Sequence, residues 1–363
     1  MTISLIKEDS RTISEIQNLA SQMLNSSVIL AERFGNGSNS RVFRLLCTDS
    51  KQYVAKFYFH HPTDPRDRLN IEYSSFSFLK AQGITNVPHP IILNQEESCA
   101  IYEFIEGEKI SSESVTAETI TSAVDFLVKL KELKKNPQSQ NLPPASEACF
   151  SIQAIIDNIL ERLNRLYKLP EETEGYGEFK SFLISGIRPF LNILREWVHR
   201  RAVQLHIPFN TEIPFGQRTL SPSDFGFHNA VRDKNGRIVF FDFEYFGWDD
   251  PAKLICDFLL HPAMTLSDEI KKTFILAMAE SFKENEQLIK RVALIYPFLG
   301  IKWCLIFLNE FIPDDFSRRL YAAGGPLDRA SVRQEQLLKA RNLYRRIKET
   351  YQDFPYQKGH KWL

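Results

Sequence analysis

The sequence carries no excess of charge of either sign: 45 Lys and Arg balance 45 Asp and Glu over 363 residues. That balance excludes a global basic field of the kind that holds nucleic acid or an anionic membrane surface. Cysteine is scarce, five residues at 47, 99, 149, 256 and 304, with no CxxC pair. An odd count in mostly apolar surroundings fits buried free thiols in a reducing, cytoplasmic compartment. The opening MTISLIKEDS lacks a signal-peptide layout. No apolar run is both long and unbroken. The longest, Val292 to Phe311, is interrupted by Pro297, Gly300 and Lys302, so it reads as a buried core helix and not a membrane span. There is no internal repeat, and His60-His61 has no metal-ligand spacing.

What is present suits a folded protein of more than one typical domain. Apolar residues make up 43% of the chain and charged ones 25%, enough for a large core. Residues 1–30 read as a polar leader with some helix. Residues 31–106 are strand-rich: AERFGNGSNSRVFRLLCT, a DSK turn, QYVAKFYF, one helix, then HPIILNQEESCAIYEF. Residues 107–363 are mostly helical, broken by a Pro-rich connector at NPQSQNLPPAS and by a short hairpin within 220–251. The expected layout is α+β, a small mostly antiparallel-β lobe followed by a large helical lobe. The tail from Ala330 is locally basic, and Leu337, Ala340, Tyr344 and Ile347 recur at helical spacing, which reads as a solvated helix.

The hairpin carries the first chemistry. In NAVRDKNGRIVFFD, Asn235-Gly236 separates two β-prone runs. A two-residue turn there pairs Lys234 with Arg237 and, counting outward, Asn229 with Asp242, with Cβ atoms about 5 Å apart. A four-residue DKNG loop with a bulge shifts this register by one. An amide oxygen and a carboxylate side by side suit Mg²⁺, which takes few protein ligands and completes its shell with water and phosphate. Asp224, in the loop before the hairpin, is placed to accept a hydrogen bond from an incoming hydroxyl and aim it at a phosphoryl group. The plain alternative is a turn cap at Asp224 and two strand-end residues. His228, beside Asn229, is read as structural.

Upstream, FGNGSNSRVF offers Gly35 and Gly37 between two expected strands, with Ser38, Asn39 and Ser40 as added donors for phosphate. Alone it is also an ordinary hairpin turn. Lys56 stands mid-strand in YVAKFYF, where lysine is disfavoured unless its charge is used. Val54 shares its face and can roof an adenine. The next helix is expected to start with Asp64 as N-cap and Pro65 at N1, and to end at Gly83. Glu72 falls in its apolar stripe with Leu69, Phe76 and Leu79, and Lys56 is the obvious partner. Snorkelling at the stripe's edge is the alternative.

Together these pieces resemble the aminoglycoside phosphotransferase and choline kinase group, a branch of the protein-kinase-like fold. The resemblance spans roughly residues 30–310 and rests on FGNGSNSRVF, VAK with Lys56, Glu72, IYEFIEG, SPSDFGFHN and FFDFEYFGWDDP. It implies a two-lobed kinase-like fold using ATP, with GTP left open, and Mg²⁺. Lys56 then holds the α- and β-phosphates and pairs with Glu72. The backbone of Glu103 and Ile105 binds adenine. Asp224 orients or deprotonates the acceptor hydroxyl, and Asn229 and Asp242 bind the metal. Glu244 replaces the protein-kinase glycine and stands as a further metal or outer-shell group, and Asp249 as a metal or substrate group. Pro222 replaces a histidine that normally braces the loop. The short GWDDP after Asp242 leaves no room for a peptide-seating segment, so a small hydroxyl compound is the expected acceptor: a sugar, an amino alcohol or an aminoglycoside-like molecule. Candidate acceptor contacts are Glu244, Trp248, Asp249, Asp250, Trp303 and Glu310, with capping by Asp249 and Asp250 and a core role for Trp303 as the alternative. Nothing in the sequence speaks to oligomeric state. Two other readings stay open: a nucleotide-binding pseudokinase or scaffold, which Pro222 favours, and a helical interaction protein with no nucleotide site.

Overall fold

The computed structural model describes residues 11–35, 39–60, 64–172, 175–325 and 327–356. In chain order the main elements are α1 (Ile13–Leu24), β1 (Val28–Arg33), β2 (Ser40–Cys47), β3 (Gln52–Tyr58), α2 (Arg68–Ala81), β4 (Pro90–Asn94), β5 (Cys99–Glu103) and β6 (Gly107–Lys109). Then come α3 (Ala117–Glu132), α4 (Ile152–Tyr167), α5 (Tyr176–Ser181), α6 (Arg188–Leu205), β7 (Thr219–Ser221), β8 (Ala230–Asp233), β9 (Ile238–Phe240) and β10 (Gly247–Asp249). The last five are α7 (Pro251–Leu260), α8 (Asp268–Ser281), α9 (Leu288–Phe307), α10 (Pro313–Ala323) and α11 (Arg329–Thr350). They divide into two compact units. The first comprises Met1–Glu108, Val231–Glu244 and Pro313–Leu327; the second Lys109–Ala230, Tyr245–Ile312 and Asp328–Leu363.

The first unit is built on an antiparallel five-stranded sheet in the order β1-β2-β3-β5-β4. Side chains alternate across it. Phe43, Leu45, Cys47, Ala55, Phe57, Cys99 and Ile101 form one apolar face, and Ile16 and Ala20 of α1 complete that cluster. A capping box between Thr12 and Glu15 starts α1. Lys56 and Tyr58 alternate with Ala55 and Phe57 and so belong to the opposite face. There α2 packs, with Phe76 edge-on to Tyr102 at 5.6 Å.

Two local expectations are corrected. Asp67, not Asp64, caps α2, accepting from Asn70 N–H at 3.2 Å. Asp64 is instead taken by Arg66 and Arg68, whose guanidinium nitrogens lie 2.7 and 2.6 Å from it. Gly83 does follow the helix, at φ +76°. The hairpin turns through three residues. Asp233 and Arg237 close it, Gly236 takes φ +80°, and the Asp233 carboxylate accepts from the N–H groups of Asn235 and Arg237. An aspartate that satisfies the loop's own N–H groups favours this turn over a two-residue one. The register therefore shifts by one. Asn229 sits in a 3-10 turn and Asp242 two residues past the end of β9, so neither is in the ladder.

The second unit is helical around α9. α9 contacts α4, α6, α7 and α11. The stretch Leu288–Phe311 is apolar and long enough to span a bilayer, but 78% of its most apolar window is buried in the protein. Gly300 lets α11 approach closely there: a Cβ would lie 2.6 Å from the Ile347 side chain, which would have to shift. The cysteines are all free and buried. The β7–β10 pair, Leu220 opposite Trp248 and Thr219 opposite Asp249, anchors both ends of the segment that carries Asp224.

Candidate active site

On the first unit, Lys56 is the centre of a buried ion cluster. Its Nζ lies 2.6 Å from Glu72 Oε2, 2.5 Å from Asp242 Oδ1 and 3.7 Å from Glu244 Oε2. Glu72 is fully engaged. Its Oε2 also accepts from Tyr58 O–H at 2.7 Å, its Oε1 from Phe243 N–H at 3.1 Å, and Tyr58 and Tyr102 hydroxyls meet at 2.6 Å. Only 2% exposed, Glu72 does not snorkel. Burial alone would depress the Lys56 pKa, but the charges of Asp242, Glu72 and Glu244 hold it well above the usual lysine range. Burial, with the Asp242 charge adding, pushes Glu72 upward against the pull of Lys56.

Asp242 adopts φ +68°, a region few non-glycine residues occupy. Its side chain stays 32% exposed, so the cluster has an open side. Glu244 is almost wholly buried. Its Oε1 accepts from the Asn39 amide, and Arg68 Nε stands 3.9 Å away. Burial first, then the Asp242 charge, raise its pKa to about 7. Glu244 Oε2 is a buried oxygen with no hydrogen-bond partner among the described residues. Ligand oxygens of Glu72, Asp242 and Glu244 lie within 4.8 Å of one another. With Glu72 already engaged, the part-exposed Asp242 carboxylate and Glu244 Oε2 are the oxygen donors that fit a hard divalent cation such as Mg²⁺.

The rest of the expected nucleotide contacts surround this cluster in sequence. Gly35 has φ +81°. Gly37 and Ser38 lie outside the described residues. Ser40 pairs with Tyr58 across the β2–β3 ladder, and Val54, half-buried, pairs with Tyr102. Glu103 ends β5 with its N–H donated to His89 O at 2.8 Å, and Ile105 follows it, half-buried.

On the second unit, Asp224 follows Ser223, which takes φ +68° with its N–H on Ser221 Oγ at 2.9 Å. Asn229 Nδ2 donates to the Asp224 carbonyl at 3.1 Å, so the two are locked in one loop. His261 Nε2 lies 2.8 Å and His228 Nε2 3.3 Å from Asp224 Oδ1. Burial would raise the Asp224 pKa, but His261 and His228 outweigh it and hold the carboxyl well below the usual range. Asp249 is fully buried and turns to Lys253 Nζ at 2.8 Å, which also meets Asp257 at 3.0 Å. Asp250 caps α7 through Ala252 N–H and pairs with Arg291 at 2.7 Å. Trp248 donates to Ser139 O, and Trp303 to Asp257 Oδ1 at 3.1 Å.

Several functional contacts escaped sequence reasoning. Tyr58, two residues from Lys56 on the same strand face, was open to discovery by strand alternation. Arg68 and the Asn39–Glu244 bond had no spacing signal, and neither did His261.

A lysine on the third strand of an antiparallel sheet, ion-paired to the glutamate of the following helix, defines a protein-kinase-like fold. Solved structures agree. A spectinomycin phosphotransferase in complex with ADP and spectinomycin superposes with a TM-score of 0.60 at 13% identity, over 92% of this chain and 99% of that one. A choline kinase from Streptococcus pneumoniae gives 0.57 at 15%, over 92% and 98%, and a Plasmodium vivax ethanolamine kinase 0.56 at 16%, over 88% and 83%. No curated protein matches the chain by sequence. The phosphotransferase enzyme family model matches residues 31–285; the chain belongs to that family.

Proposed function

We propose that the protein transfers the γ-phosphoryl group of ATP to a hydroxyl of a small molecule. The observation that carries this is Lys56, buried and ion-paired to Glu72 and Asp242. A buried lysine with this set of carboxylates is costly unless phosphate and cation complete it. In this reading Lys56 grips the α- and β-phosphates, and Glu72 holds its ammonium in place. The segment with Gly35, Gly37, Ser38, Asn39 and Ser40 supplies donors to phosphate oxygens. Val54, Glu103 and Ile105 receive the adenine. Asp242 and Asn229 would hold Mg²⁺, with Glu244 as a further oxygen donor, and the charge it supplies there would offset that of the phosphates. Asp224 accepts a hydrogen bond from the acceptor hydroxyl and orients it for attack. Asp249, committed to Lys253, serves as an internal anchor.

The acceptor belongs to the hydroxyl-bearing small molecules, and its identity is a matter for screening. The second reading, a nucleotide-binding scaffold without turnover, rests on Pro222. Thermal unfolding with MgATP tests the binding half. Nucleotide at 100 times its Kd adds about 2.7 kcal/mol of stability, and Asp242→Ala loses the part of that gain that depends on Mg²⁺. No stabilisation by MgATP or MgGTP at millimolar concentration refutes the proposal.

A further inference from the structure

Asp224 is held by two imidazoles, those of His228 and His261. Both Nε2 atoms approach the same oxygen, Oδ1, and the His228 and His261 rings stack with centroids 3.9 Å apart and planes 10° from parallel. The tautomers follow from the other nitrogens. Ala263 N–H donates to His261 Nδ1 at 3.2 Å, so neutral His261 carries its proton on Nε2 and donates it to Asp224. His228 Nδ1 is buried without a hydrogen-bond partner among the described residues. A proton there would bury an unsatisfied N–H, so the His228 proton also belongs on Nε2. Two N–H groups thus converge on Oδ1. Oδ2, which Asn229 Nδ2 approaches only at 3.5 Å, is left for an incoming hydroxyl.

His261 is itself supported. It caps the C-terminus of α7 and stands edge-on to Trp303 at 4.8 Å. Trp303 donates to Asp257, Asp257 meets Lys253, and Lys253 meets Asp249. A line of mostly buried contacts therefore runs from β10 to Asp224. By contrast Pro222, in the position where the family's resemblance expects a bracing histidine, has no side-chain donor.

We propose that His261, with His228 stacked on it, is the positioning residue that fixes the Asp224 carboxylate with one oxygen tied and the other presented to the acceptor. This rests on the reading of Asp224 as the group that receives the acceptor hydroxyl. The brace comes from the end of α7 and replaces the one missing at Pro222.

The test uses the full chain in two arms. In the first, ADP release is followed with ATP, Mg²⁺ and a panel of sugars and amino alcohols. His261→Ala lowers kcat about 10–100-fold, the scale expected for losing a group that orients a site residue, and leaves the KM for ATP unchanged. His261→Gln, whose amide N–H reaches the same oxygen, recovers most of the loss. Unchanged kcat in His261→Ala, or no recovery in a folded His261→Gln, overturns the proposal. In the second arm, long-range ¹H–¹⁵N spectra of ¹⁵N-histidine protein report the tautomers without turnover. A proton on Nε2 of both histidines, with both signals displaced by Asp224→Ala, supports it; a tautomer protonated on Nδ1 alone at His261, or signals that ignore Asp224→Ala, overturn it. If the wild type neither binds MgATP nor consumes it, the kinase reading fails, while the spectra still decide whether the histidines brace Asp224.

Discussion

Glu244→Gln should make the first unit more stable, not less, at alkaline pH. Glu244 is 1% exposed and shares one lysine with Glu72 and Asp242. Its carboxyl is raised from an ordinary 4.5 to about 7, chiefly by burial and then by the Asp242 charge. A folded-state pKa above the unfolded one means that the folded protein binds the extra proton. The contribution to stability is therefore complete below about pH 4.5 and is lost as pH rises through about 7. At 1.36 kcal/mol for each factor of ten in proton affinity, the loss is about 3 kcal/mol. Glutamine keeps an oxygen for Asn39 and does not titrate, although Lys56 and Arg68 each lose a countercharge. The net expectation is a gain of about 1–3 kcal/mol at pH 8 that shrinks towards zero at pH 5. Trp197, Trp248 and Trp303 all lie in the second unit, so tryptophan fluorescence is a poor reporter of the first. Amide hydrogen exchange of β3 and β5, in EDTA, reads it directly. Slower exchange in the variant at pH 8, with the difference fading at pH 5, is the predicted result. A variant that exchanges faster at pH 8, or shows the wild-type pH dependence, refutes the reasoning.

Two further perturbations probe the second unit. Lys253→Met strips Asp249 and Asp257 of their shared cation and should cost about 3–5 kcal/mol in urea unfolding followed by tryptophan fluorescence. The cost should be smaller at pH 5, since burial already raises Asp249; an unchanged midpoint contradicts the buried ion ladder. Gly300→Ala drives a methyl into Ile347 and should cost about 1–3 kcal/mol. Adding Ile347→Ala should bring the pair below the sum of the single costs, and strict additivity would show that α9 and α11 do not meet there.

Much of this was legible because local chemistry repeats a pattern. Lys56 mid-strand and Glu72 in an apolar stripe are each anomalous alone, and each anomaly names the other as partner. The α9 segment announced itself as core through Pro297 and Lys302 inside an apolar run. Where the reading slipped, a side chain overrode a propensity. Asp233 satisfies the loop's N–H groups and selects a three-residue turn over the Asn-Gly one, and two arginines draw Asp64 away from the helix start that Asp67 then caps. The histidine support of Asp224 was out of reach. It depends on α7 ending where it does, and nothing in the spacing from Asp224 to His261 encodes that contact.

A kinase of this kind must transfer a phosphoryl group in a reaction that depends on Asp224. Phosphorus NMR of ATP and Mg²⁺ with pooled hydroxyl compounds follows it without a coupled assay. With the wild-type protein the γ-phosphate signal should fall as a new phosphomonoester signal grows, and Asp224→Ala, still stabilised by MgATP, should produce none. A γ-phosphate that persists against every pool, or a monoester formed equally fast by Asp224→Ala, would contradict it.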